Sequence, residues 1–148
     1  MRIVKSVLTL LAIVVVVGCA ATGPRLSEIA ASIPPVPADK GRIYFFRGTT
    51  MLGAAVTSDI RLNDRVVGVS QRSSFFYVDE VPGNYTVSTA TEVERQLTFA
   101  LSAGETKYVR TSVSFGVLVG RVNSILENPQ IATAEIANLS YTGAALKK

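Results

Sequence analysis

The sequence predicts a mainly β protein: a single antiparallel β-sandwich or small barrel of six to eight short strands, with one short C-terminal helix. Three observations carry this prediction. From Gly41 onward, apolar residues recur at every second position in short runs, the period of a strand with one buried face. Those runs are separated at roughly 10-residue intervals by Gly, Pro, Asn and Asp, which supply tight turns. The length is that of one ordinary domain: 148 residues in all, or 130 once residues 1–18 are set aside.

Taken in order, the first element is not a strand. Arg2 and Lys5 precede an apolar run from Val7 to Val17, and small residues follow at Gly18, Cys19, Ala20 and Ala21. A transmembrane helix needs about 20 apolar residues, and this run is shorter. A basic start, a short apolar core and a small-residue end are the parts of a cleaved secretory signal. Val16-Val17-Gly18-Cys19 resembles the lipobox of bacterial lipoprotein signal peptides. That resemblance implies cleavage between Gly18 and Cys19 and a diacylglycerol on the Cys19 thiol. Cys19 is the only cysteine, so the chain forms no internal disulfide.

Residues 19–40 then read as a lipidated tether. Pro34, Pro35 and Pro37 forbid continuous helix and favour an extended segment. Before them Leu26, Ile29, Ala30 and Ile33 recur at helical spacing behind Pro24, so a short helix at 25–32 and a disordered tether both remain open. As a flexible coil, a tether of this length spans about 25 Å and lifts the domain clear of the lipid headgroups.

The β-domain is expected over 41–142. "RIYFFR" puts Ile43 and Phe45 on one face, Tyr44 and Phe46 on the other. "DIRLNDRVVGVS" reads as a hairpin about Asn63-Asp64, with Ile60 and Leu62 sharing a face with Val67 and Val69. "SSFFYV" is a further strand, closed by the turn "VPGNY". Tyr85, Val87 and Thr89 then alternate to one side, as do Leu97, Phe99 and Leu101. After "SAGET", Val109, Thr111, Val113 and Phe115 are expected inward, with Arg110, Ser112 and Ser114 outward. Asn128 as cap and Pro129 in the first turn predict a helix over about 129–138, with a stripe of Ile131, Ala134 and Ala137 or Asn138. A final edge strand is the competing reading, and residues 143–148 read as a frayed tail.

"IYFFR", "LNDRVVG", "FFYVDEVPGNYTVS" and "LSAGETKYVR" together are similar to a family of small bacterial lipoproteins that carry an uncharacterised β-domain. The similarity covers about residues 41–140. The "PG-x-Y-x-V" pattern also resembles transthyretin-like and carboxypeptidase-regulatory sandwiches. These resemblances imply a β-sandwich at the cell envelope and transfer no active-site residue.

Composition excludes much of the usual enzyme repertoire. The chain has no histidine, and its cysteine is committed to lipid, so Ser-His and Cys-His nucleophile pairs are absent and so are the usual zinc ligands. The formal charge of +4 includes Arg2 and Lys5, and no Lys/Arg run marks a nucleic-acid surface. Asp79-Glu80 and Glu92-x-Glu94 are the close acidic pairs that an envelope hydrolase could use, beside a Ser-Lys pair. Asp59, Asp64 and Asp79 match no calcium loop. No catalytic residue, metal or cofactor is expected.

Binding is better served. "SFGVLVGRVNSIL" is apolar and broken by glycine, and Phe115, Gly116, Val117, Leu118, Val119 and Gly120 form the expected docking segment for a partner or a membrane. The alternative is a core strand with a bend. Arg42, Arg47, Arg61, Arg65, Arg72, Arg95, Arg110 and Arg121 sit at strand ends or outward positions. They would suit an anionic lipid or glycan if they converged with aromatics such as Tyr44 and Phe76. The expectation is therefore a lipid-anchored envelope protein, on the outer membrane facing the periplasm where the host has two membranes. Its β-domain binds or scaffolds an envelope protein partner without catalysis, and it binds no nucleic acid.

Overall fold

The computed structural model describes residues 21–90, 94–118 and 120–146; the expected signal with Gly18 and Cys19, and also Glu92 and Val119, lie outside them. Among the described residues, nine strands form two packed sheets. The five-stranded sheet has the order β8-β7-β1-β4-β9, from Arg121–Leu126 (β8), Thr106–Ser114 (β7), Gly41–Arg47 (β1), Ser74–Glu80 (β4) and Ser140–Tyr141 (β9). The four-stranded sheet has the order β3-β2-β5-β6, from Arg65–Ser70 (β3), Ser58–Leu62 (β2), Gly83–Ala90 (β5) and Glu94–Leu101 (β6). Most pairings are antiparallel; β1 with β7 and β4 with β9 are parallel.

The period-two pattern is what fills the space between the sheets. Ile43, Phe45, Phe76 and Val109 from one sheet meet Ile60, Leu62, Val87 and Leu101 from the other, all of them buried. Phe45 and Phe76 stack with centroids 5.1 Å apart. Two buried hydroxyl contacts tie the layers: Ser70 Oγ to Thr111 Oγ1 at 2.8 Å, and Thr89 Oγ1 donating to the Val122 carbonyl at 2.8 Å. Each buried Phe or Leu contributes about 1.5–3 kcal/mol through removal from water, so this interlayer core is the main source of stability.

The second hairpin departs from expectation in one respect. Asn63 and Asp64 take φ of 46° and 66°, as a tight turn requires. Beyond it the register shifts between Ile60 and Arg61, so Ile60 pairs with Gly68 and Asp59 with Val69. The extra residue of this β-bulge reverses the alternation. Val69 therefore faces solvent and Gly68 faces the core, where a Cβ would stand 2.3 Å from the Phe76 ring. The expected inward placement of Val69 fails because the Phe76 ring needs the room that only glycine leaves.

A third layer covers part of the outer face of the five-stranded sheet. Helix α1 (Leu26–Ile29), extended by a 3-10 turn at Ala30–Ser32, realises the helical reading of the segment before the prolines. Its first turn is tied by the Arg25 N–H donating to the Glu28 carboxylate at 2.6 Å. Helix α2 (Pro129–Ile136) starts on Asn128, whose side chain accepts from the Gln130 N–H at 2.9 Å. Ala132 and Ile136, with Leu139 beyond, are its buried stripe, and Ile131 is exposed. The helix is thus turned from the expected stripe, which brings Glu135 within 2.5 Å of Arg110. The edge strand forms as well, as β9. After β9 the Tyr141 hydroxyl donates to the Ala144 carbonyl at 3.0 Å, and Leu146 packs on the core.

Candidate functional site

The strand order gives the sandwich two unlike ends. At the turn end lie the Asn63-Asp64 hairpin, Val81-Pro82 and residues 102–105. At the loop end lie residues 48–57 between β1 and β2, 71–73 between β3 and β4, and 115–120 between β7 and β8. Sequence reasoning expected Phe115 to continue the inward face of β7. Instead β7 stops at Ser114, and Phe115, Val117 and Leu118 are 82%, 84% and 89% exposed. The last rung of the β7–β8 ladder pairs Ser114 with Arg121, so residues 115–118 and Gly120 lie outside that ladder.

The neighbouring loop was not singled out from sequence. "GTTMLGAAVT" carries no charge and no tight-turn motif, which is the signal that could have marked it. In the fold Met51 and Leu52 are exposed, and the two loops meet over Val113. Gly53 (φ 66°) and Gly120 both approach that side chain so closely that a Cβ at either would lie about 2.5 Å from it. Between the loops is an open apolar hollow of about 280 Å³ bordered by Leu52, Val56, Phe115 and Leu118. The structure thus brings the expected docking segment together with Met51 and Leu52.

Arg47 holds this end in shape. Only 4% exposed, it donates from its guanidinium to the carbonyls of Val56 and Gly53, each at 2.6 Å. Burial, with Arg72 nearby, lowers its pKa from the ordinary value. Arg72 donates to the Thr49 carbonyl and to Met51 Sδ, both at 3.2 Å. These two arginines are loop braces.

Other expected site residues are not brought into one place. Arg42 makes a two-point contact with Asp79 at 2.7 and 2.8 Å and lies 4.1 Å from the Tyr77 ring centroid; Asp79 chiefly raises its pKa. Arg65 pairs with Glu80, and Arg110 with Glu127 and Glu135. Asp79 and Glu80, adjacent on β4, point to opposite faces, and Glu94 starts β6 at the other end of the sandwich. These carboxylates share no cleft of the kind a pair of acid and base groups requires. Asp59 and Asp64 also stand apart, in β2 and in the hairpin turn.

Tyr44 and Phe76 lie on opposite faces of their sheet. Phe76 belongs to the interlayer core, whereas Tyr44 stacks on Tyr108 at 5.4 Å and tilts against Tyr77 at 5.6 Å on the outer face. Tyr77 in turn contacts Tyr141 at 6.0 Å, whose hydroxyl pKa burial pushes up to about 12. This row is packed ring against ring, with Arg42 already satisfied by Asp79.

Comparison with known proteins names no activity. A Haemophilus influenzae protein described as an uncharacterized protein is 29% identical over 82 residues, covering 55% of this chain and 48% of that protein. The chain thus spans about half the length of the curated relative it matches. No solved structure matches. The profile of DUF2846, described as a protein of unknown function, matches residues 37–123, from just before β1 into β8 and across both apolar loops. Since that match covers more than half of the sequence, the chain belongs to the DUF2846 family.

Proposed function

We propose that this protein is a lipid-anchored component of the cell envelope, attached through Cys19, whose β-domain works by binding or scaffolding and not by catalysis. In a host with two membranes it sits on the outer one and faces the periplasm. The anchor rests on the sequence: a basic start, a short apolar run and Val16-Val17-Gly18-Cys19. The observation that carries the binding reading is the contrast between the apolar loop end and the carboxylates. Phe115, Val117 and Leu118 are more than four-fifths exposed beside Met51 and Leu52, and a soluble domain rarely leaves such a group uncovered. Asp79 and Glu80 meanwhile are paired with arginines on separate faces.

Growing cells on an alkyne fatty acid tests the anchor. The wild-type chain should carry the label in the membrane fraction, and Cys19→Ser should lose it; equal labelling of both would sink the reading. Crosslinking in living cells with mass spectrometry tests binding. A single envelope protein recovered with the wild type supports scaffolding. Recovery of no protein overturns the partner half of the proposal.

A further inference from the structure

We propose that the loop end of the sandwich is a lipid-contacting surface: Met51, Leu52, Phe115, Val117 and Leu118 rest in the interface of the bilayer that holds the Cys19 anchor. The inference rests on the anchor reading and adds an orientation to it.

The first ground is the length of chain between anchor and fold. A tether of some 20 residues would let the domain tumble well away from the membrane, but the described chain is bound from its first residue. The Ala21 N–H donates to the Arg72 carbonyl at 3.3 Å, and the Tyr141 N–H donates to the Pro24 carbonyl at 2.7 Å. Arg25 also forms a bridge with Ser140. Only Ala20 separates Cys19 from Ala21, so two backbone steps, at most about 7 Å of chain, link the acylated position to the folded body.

The second ground is where that attachment falls. Arg72, which accepts the Ala21 bond through its carbonyl, reaches with its side chain to Thr49 and Met51. The anchor thus meets the sandwich at its loop end. The 115–120 loop stands over β7 and β8, two and three strands from β4, roughly 10–15 Å across at ordinary strand spacing. An acyl chain inserted beside Ala21 brings all of these side chains to the headgroup layer together.

The third ground is charge. Residues 48–57, 71–73 and 115–120 contain no carboxylate and Arg72 is their one charge, while Asp59 and Glu94 begin β2 and β6 at this same end. The turn end carries Asp64, Glu80 and Glu105. An apolar tip with a cation beside it and no carboxylate in its own three loops suits an anionic lipid surface. Side chains such as Phe, Leu and Met sink about 5–10 Å into that interface.

The test uses the mature lipidated chain in vesicles of phosphatidylethanolamine with a minority of phosphatidylglycerol. Because Cys19 is the only cysteine, Leu118→Cys or Ala103→Cys gives one free thiol for an environment-sensitive dye. A lipid-borne quencher should quench the dye at 118 several-fold more than at 103, with a blue shift at 118 only. Equal quenching at the two positions overturns the proposal, as does shielding at 118 that needs added envelope protein. The intact mass reports the anchor separately. A chain without diacylglycerol would take dye on Cys19 and fail the anchor reading, whatever the quenching shows.

Discussion

The two ends of this sandwich are built by opposite rules. At the turn end every connection is short and bonded. Asn63 accepts from the Thr86 N–H at 2.8 Å, the Tyr85 hydroxyl donates to the Val81 carbonyl at 2.7 Å, and Glu105 binds both the Ser102 N–H and Lys107. At the loop end Arg47 and Arg72 brace residues 48–57 from inside and across, while Met51, Leu52, Phe115, Val117 and Leu118 are exposed. The same two sheets position both, so the difference does not come from the fold. A folding requirement explains the turn end completely, because each bond there closes a strand pair. It explains nothing about exposed Phe115 and Leu118, which no strand needs.

Substitutions should therefore separate the ends: those at bonded side chains should lower stability, and those at the apolar tip should weaken membrane binding. The largest effect is expected at Arg47, the buried one of the two arginines that brace the loop end. Arg47→Met leaves the buried carbonyls of Gly53 and Val56 without a donor and should cost about 3 kcal/mol in denaturant unfolding. Vesicle binding should weaken with it. At the turn end, Asn63→Ala keeps a positive φ without the side-chain bond to Thr86, and about 1–2 kcal/mol should be lost with no change in vesicle binding.

Acid should act on the turn end too. Lys107 and the Ser102 N–H hold the Glu105 carboxyl below its ordinary pKa. The stability this adds is complete above the unfolded carboxylate value, near pH 4.3, and is lost as pH falls through the lower folded value. A stability profile from pH 7 to pH 3 should therefore drop at its acid limb, and Glu105→Gln should flatten that limb. The smallest effect on folding is expected at the tip: Met51→Ser and Leu118→Ser, at 71% and 89% exposure, should each shift stability by under about 0.5 kcal/mol. Together they should abolish the lipid shielding that the turn-end substitutions leave intact.

How far the sequence could be read follows the same division. Alternation marked Ile43, Phe45, Val87 and Val109 as core because the hydrophobic effect acts on every second residue of a strand. Asn63-Asp64 marked its hairpin through backbone preference alone. Where placement depended on a distant partner, local pattern failed. Val69 was turned outward by a bulge that makes room for Phe76, eight residues downstream from Gly68. The α2 stripe was decided by Arg110 on another strand, since Ala and Ile are too evenly spread around that helix to orient it. The docking segment was legible as an oddity, a glycine-broken apolar run. Its companion Met51-Leu52 was not, because only the β1–β7 pairing sets the two loops side by side.

Photocrosslinking from the lipid phase tests the central claim most directly. The mature protein would be placed in vesicles containing a phospholipid with a photoreactive acyl chain, irradiated, and digested with trypsin. Cleavage after Arg47, Arg61, Arg110 and Arg121 isolates the two apolar loops as peptides 48–61 and 111–121, while the turn at 102–105 falls in peptide 96–107. Lipid adducts on the first two peptides and none on the third are the predicted result. Adducts on 96–107, or an even spread over all three, would contradict a membrane-facing loop end.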